Sequence, residues 1–121
     1  MFLILLLTCH YLADFCLTWP DLIQAKANAR HLWPILLHAS VHAVLMGLCL
    51  LMFGVGIGKM AWLVLFEWAT HFAIDTAKAR LSIAIPLFAD THKKPYWMLY
   101  GLDQLMHQLV VIIIWHIAIA G

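Results

Sequence analysis

Apolar residues fall into four long runs, about Phe2 to Leu17, Ile35 to Phe53, Met60 to Ala79 and Leu99 to Ala120, and the stretches between them hold all four prolines. A helix needs about 20 apolar residues, with a range of about 17–25, to cross the roughly 30 Å hydrocarbon core of a bilayer, and each run is read as long enough to span, the first only just. The pattern predicts helices over approximately 2–18, 34–53, 59–80 and 99–120, joined as one domain spanning 1–121. The expected fold is an all-α membrane protein, a four-transmembrane-helix antiparallel bundle. The first run is read as a retained helix, because a signal peptide would carry a basic n-region and an unbroken apolar core, whereas His10 and Asp14 interrupt this one.

The connections differ in character. "TWPDLIQAKANARHLWP" combines two prolines and two tryptophans with a polar middle, which suits an interfacial loop containing a short amphipathic helix. "GVGIG" reads as a tight turn, and its glycines do not make a nucleotide fingerprint, since no strand precedes them. "SIAIPLFADTHKKPYWMLY" ends in Tyr96, Trp97 and Tyr100, read as an aromatic belt at the membrane surface.

Composition agrees with a lipid environment. The 121 residues are 65% hydrophobic and 11% charged, with a mean hydropathy of +0.94, against about 45–50% apolar content in soluble domains. The net charge of +1 argues against a nucleic-acid partner. Cys9, Cys16 and Cys49 lie in apolar runs without CxxC spacing and read as small buried hydrophobes. With four crossings, the first and third connections share a side and hold Lys26, Arg30, Lys78, Arg80, Lys93 and Lys94, while the other side has Lys59. Basic residues concentrate on the cytoplasmic side, so both termini are expected to be non-cytoplasmic.

The ionisable residues inside the runs break the apolar pattern in an ordered way. His10 and Asp14, His38 and His42, Glu67 with His71 and Asp75, and Asp103 with His107 all recur at i, i+4, which stacks each pair on one helix face about 6 Å apart. At about 1.5 Å per residue, Asp14, His38, Asp75 and Asp103 lie within roughly 8 Å of the cytoplasmic interface, and His10, His42, His71 and His107 roughly 9–14 Å in. Two layers at common depth are therefore expected. Burying such groups in hydrocarbon is costly, and it marks a functional site by default. Interhelical hydrogen bonding is the competing explanation. Imidazole with carboxylate is the usual ligand set for zinc, manganese or iron, and helix bundles build such sites from inward-facing side chains. His10, Asp14, His38, His42, Glu67, His71, Asp75 and His107 are thus the candidate ligands of a divalent metal ion. Asp103 and Lys78 are the candidate catalytic groups. Lys26, Gln24 and Gln104 gather at the same mouth, where an anionic head group would meet them. His116, near the opposite surface, is read as structural.

"HYLADF", Gln24 and Lys26, His38, "HFAIDTAKAR" and "LDQLMHQL", in this order and over nearly the whole chain, resemble the DUF3307 family of small integral membrane proteins of bacteria and their phages. The resemblance implies a bacterial inner-membrane location. It also implies that His10, Asp14, Gln24, Lys26, His38, His71, Asp75, Lys78, Asp103, Gln104 and His107 belong to a family pattern; His42 and Glu67 rest on their spacing alone. The arrangement is loosely similar, in architecture only, to membrane-bound metal-dependent hydrolases of the YdjM type.

These residues point to a metal-dependent hydrolase acting on a lipid-linked or phosphorylated substrate from the cytoplasmic side. An ion held by the histidines and carboxylates would lower the pKa of a water and polarise the scissile bond. Asp103 would take the proton, and Lys78 with Lys26 would hold the head group. Two other classes compete. One is a non-catalytic metal or proton carrier, against which the polar residues stop halfway across. The other is a bis-histidine haem protein for electron transfer, against which stand the accompanying carboxylates.

Overall fold

A computed structural model describes residues 1–28 and 31–120; Arg30, counted in the charge argument, lies outside them. The described chain is all-α. Its five helices are α1 (Phe2–Phe15), α2 (Pro20–Asn28), α3 (Trp33–Met52), α4 (Ile57–Ala84) and α5 (Lys94–Ile119), with a 3-10 turn at Pro86–Phe88.

Two of these helices, α3 and α5, are long and apolar enough to cross a membrane. The first run does not form the continuous helix over 2–18 expected of it. α1 has 14 residues, about 21 Å at the usual rise, and stops at Phe15, where the amides of Cys16 and Leu17 both donate back to the Leu12 carbonyl. Pro20 then opens α2 with a preset φ, and the pair turns by 91°, as a broken span or a re-entrant segment does. α4 has length to spare at 28 residues but is too polar along its sequence to join α3 and α5. Its Glu67, His71 and Asp75 are all buried.

Proline and glycine explain the other boundaries. α4 continues past residue 80 until Ile85, which precedes Pro86 and is extended at φ −127°, ψ 97°, because the proline ring disfavours helical backbone in the residue before it. α5 begins at Lys94 rather than near 99, with Pro95 in its first turn. α3 ends in a paired cap: Gly54 N–H donates to Leu51 O and Val55 N–H to Leu50 O, around Gly54 at φ 72°. This is the Schellman arrangement, which favours glycine at the left-handed position.

Buried residues sort into three zones in the same spatial order. Leu6, Met46, Leu50, Leu63, Val111 and Ile114 form an apolar cluster at one end. Leu22 and Ala25 of α2 pack with Ile35 and Ala79 at the other. Between them along α3 and α4 fall the buried His38, His42, Glu67, His71 and Asp75, and the buried His10 of α1 and Asp103 and His107 of α5 join the same polar zone. α1 and α4 therefore run from the large apolar cluster towards the polar zone, and α3 and α5 run the other way.

Candidate metal centre

The i, i+4 spacing gives each helix an inward stripe of two or three polar side chains, and helix packing merges the stripes. Asp14 is the hub on one side. Its Oδ1 lies 2.9 Å from His38 Nε2, 3.4 Å from His42 Nε2 and 4.0 Å from His71 Nε2, and its Oδ2 lies 3.3 Å from His10 Nε2. Asp75 plays the same part on the other, with His107 Nε2 3.5 Å from Oδ1 and His71 Nε2 3.6 Å from Oδ2. Ring centroids of His42 and His71 are 3.7 Å apart, and those of His71 and His107 4.1 Å. The expected pair of stacked layers is thus a single interlocked cluster. Side chains lean towards their helix N-termini, which tilts Asp14 and Asp75 back among the inner histidines.

Three overlapping groups have ligand atoms that all lie within 4.8 Å of one another: His10, His42, Glu67 and His71; Asp14, His38, His42 and His71; and His71, Asp75 and His107. These buried groups could hold a metal ion. His71 belongs to all three. Its Nδ1 faces Glu67 Oε1 at 3.5 Å while its Nε2 faces Asp14 and Asp75, the two-sided arrangement by which a carboxylate orients a ligating imidazole.

The chemistry of the donor set fits a cation. Both ring nitrogens of His10 and His71, Nε2 of His42 and of His107, Oε2 of Glu67 and Oδ1 of Asp103 are buried without a hydrogen-bond partner among the described residues. Leaving a buried polar atom unpaired costs about 1–3 kcal/mol, and since each neutral imidazole keeps one lone-pair nitrogen, these six residues offer up to six electron-pair donors to a cation. Charge points the same way. Written ionised, Asp14, Glu67, Asp75 and Asp103 carry four negative charges against the two ammonium groups that touch them, Lys26 on Asp75 at 2.9 Å and Lys78 on Asp103 at 2.9 Å. With the histidines neutral, two negative charges would be left over, as many as one divalent ion balances. A small void of about 10 Å³ between Leu6, Cys9, His10, His42, Met46 and Glu67 is of the size that one water needs.

Among the described residues the cluster opens on the side of Asp14 and Asp103. A vestibule of about 440 Å³ lies over it, with Asp14, Lys26, Lys78, Asp103 and Gln104 at its polar floor and Phe15, Leu22 and Phe88 among its walls. Gln104 donates to Asp14 Oδ2 at 3.0 Å and approaches Asp103 Oδ2 at 3.4 Å.

Of the sequence-derived candidates, the structure brings together His10, Asp14, His38, His42, Glu67, His71, Asp75, His107, Asp103, Lys78, Lys26 and Gln104. Gln24 is placed apart, exposed on α2, because the inward face of that helix is set by Leu22, Ala25 and Lys26. Tyr96 and Tyr100, expected in a surface belt, line the vestibule, and the Tyr100 ring lies under Lys78 Nζ at 4.6 Å. Their i, i+4 spacing ahead of Asp103 was the available signal. Cys16 is exposed rather than buried, while the thiols of Cys9 and Cys49 meet at 3.5 Å across α1 and α3. Trp68 bridges α4 to α3 by donating to Ser40 Oγ at 3.0 Å, a role the sequence pattern did not single out.

No curated protein and no solved structure matches the chain. A family model described as "Protein of unknown function (DUF3307)" matches residues 2–120. The match takes in every helix that contributes a side chain to the cluster, and the chain belongs to the DUF3307 family.

Proposed function

We propose that the protein is a metal-dependent hydrolase of the membrane, acting on a lipid-linked or phosphorylated substrate that enters through the vestibule. In this reading α1, α3, α4 and α5 make a four-span bundle, with α4 shielding its polar stripe inside, and both termini lie away from the cytoplasm. The observation that carries the reading is the meeting of three overlapping ligand groups, rich in unpaired nitrogen atoms, beneath an open vestibule. His10, His38, His42, His71 and His107 with Asp14, Glu67 and Asp75 would hold zinc, manganese or iron. Such an ion supplies positive charge that polarises a scissile bond and makes a water more acidic.

The remaining groups act around it. Asp103 stands in none of the three ligand groups, lines the vestibule and has a buried Oδ1 without a hydrogen-bond partner among the described residues, 3.6 Å from His107 Nε2, which supports its role as the base that accepts a proton from the attacking water. Lys78 and Lys26 orient an anionic substrate, and Gln104 holds Asp14 and Asp103 in place. A through-membrane carrier is disfavoured because the apolar cluster of Leu6, Leu50, Leu63 and Ile114 closes the interior beyond the histidines, and an ion crossing it would be stripped of ligands.

Elemental analysis of the detergent-purified chain is expected to find about one or two equivalents of a transition metal. Phosphate release from a panel of lipid phosphates and soluble phosphomonoesters should stop on chelation and return with zinc, manganese or iron. Metal-free protein, or turnover indifferent to chelation, overturns the proposal. A carboxy-terminal reporter that is active only in the cytoplasm should be silent.

A further inference from the structure

A second cavity, of about 170 Å³, lies between α4 and α5. Its walls are Ile74, Ala77, Leu81, Leu99, Leu102 and Met106, and the only charged groups it touches are Lys78 and Asp103. Those two residues also line the vestibule. The Lys78–Asp103 ion pair is therefore the wall shared by a polar chamber and an apolar groove. Leu102 and Met106 are exposed, so the groove opens on the outer face of the helices.

We infer that this composite site takes a lipid phosphate, its phosphate in the vestibule and its hydrocarbon chain in the groove between α4 and α5. The inference rests on the phosphorylated-substrate reading above and narrows it to an amphiphile. Charge complementarity sets the head group. The Lys26 and Lys78 side chains keep 22% and 17% of their surface while Asp14, Asp75 and Asp103 keep 3% or less, so the cations face the chamber and the carboxylates face the cluster. Lys78 and Asp103 are the residues that the two cavities share among the described ones, so a head group at Lys78 and a chain in the groove lie close enough to belong to one molecule. A phosphate reaching Lys78 Nζ competes with the carboxylate now 2.9 Å away, and Asp103 is left with both oxygens available beside His107. Its Oδ2 is the oxygen that Lys78 holds at that junction, and its Oδ1, buried without a hydrogen-bond partner among the described residues, lies 3.6 Å from His107 Nε2 on the cluster side.

The test is native mass spectrometry of the detergent-solubilised full chain titrated with dioleoyl phosphatidate, with glycerol 3-phosphate, which has the head group alone, and with dioleoylglycerol, which has the chains alone. Phosphatidate is expected to bind at least tenfold more tightly than either fragment. Filling the groove with Leu102→Trp, or with Met106→Trp should the first variant fold poorly, is expected to weaken phosphatidate tenfold and leave glycerol 3-phosphate unchanged. Lys78→Gln should weaken both phosphate-bearing probes. Equal binding of phosphatidate and glycerol 3-phosphate, equal binding of phosphatidate and dioleoylglycerol, or parent-like phosphatidate affinity in both groove variants overturns the inference. Metal content measured on the same samples separates the two readings. Metal without a preference for phosphatidate sinks the lipid site and spares the metal centre; a preference for phosphatidate without metal does the reverse.

Discussion

The interior has two halves built from the same four helices by the same i, i+4 spacing, and they satisfy their side chains in opposite ways. Around Leu6, Leu50, Leu63, Val111 and Ile114 the contacts are non-directional, and burial alone completes them. One to two turns away, around His71, each atom has a fixed number of partners, and many have none among the described residues. α4 shows the contrast on a single face: Leu63 and His71 are both fully buried and two turns apart. The first region stabilises the fold by excluding water. The second is left incomplete, and incompleteness of that kind is what distinguishes a binding centre from a core.

Substitutions that treat the two halves alike should separate them. The largest effect is expected from His71→Ala, which removes the residue common to all three ligand groups. Metal affinity should fall by more than about 100-fold, beyond the range typical of changes around a ligand, as read by elemental analysis after dialysis. Metal content equal to the parent's would erase the distinction. Leu63→Ala should instead cost about 2–5 kcal/mol of stability while each folded molecule keeps its metal, measured by thermal melting and metal content together. Chelation sharpens the comparison. Removing an ion held at a thousand times its dissociation constant lowers stability by about 4 kcal/mol, so the parent should melt earlier in chelator, Leu63→Ala should shift by a similar amount, and His71→Ala should not shift. Gly54→Ala, which forces a side chain onto the left-handed cap of α3, should cost about 1 kcal/mol without touching metal content; the site has open space around it, so the cost is conformational. The smallest effect belongs to His116→Ala. That imidazole is exposed beyond the apolar cluster, and both stability, within about 0.5 kcal/mol, and metal content should stay at parent values.

Periodicity made much of this interior legible. A repeat of four residues places His10 with Asp14 and His71 with Asp75 on one face whatever the tertiary structure, and hydropathy forces that face inward when the rest of the helix is apolar. The bend after α1 was not legible in the same way, since Cys16 and Leu17 continue the apolar run and the stop arises from Leu12 accepting two amides ahead of Pro20. Gln24 and Lys26 look equivalent as polar residues of one connection, yet they differ by about 200° around α2, and only Lys26 reaches the carboxylates. The convergence of Asp14 and Asp75 with the inner histidines depends on how side chains tilt from helices of opposite direction, which a depth count along the axis omits. Tyr96 and Tyr100 carry the residue type of a membrane belt, and their place in the vestibule wall, with the Tyr100 ring under Lys78, follows from the early start of α5 at Lys94.

The one-sided opening has an electrical consequence. In the proposed four-span arrangement, water in the vestibule carries the potential of its own compartment down to Asp14 and Asp103, and the apolar cluster beyond His10 and His107 acts as the insulating layer. Most of the transmembrane voltage would then drop across Leu6, Leu50, Leu63 and Ile114, and little across the path an entering ion follows. A full crossing is worth about 2.3 kcal/mol per charge at 100 mV. An ion that stops above the insulator feels a small part of that, so occupancy of the centre should be nearly independent of whether the cell membrane is energised.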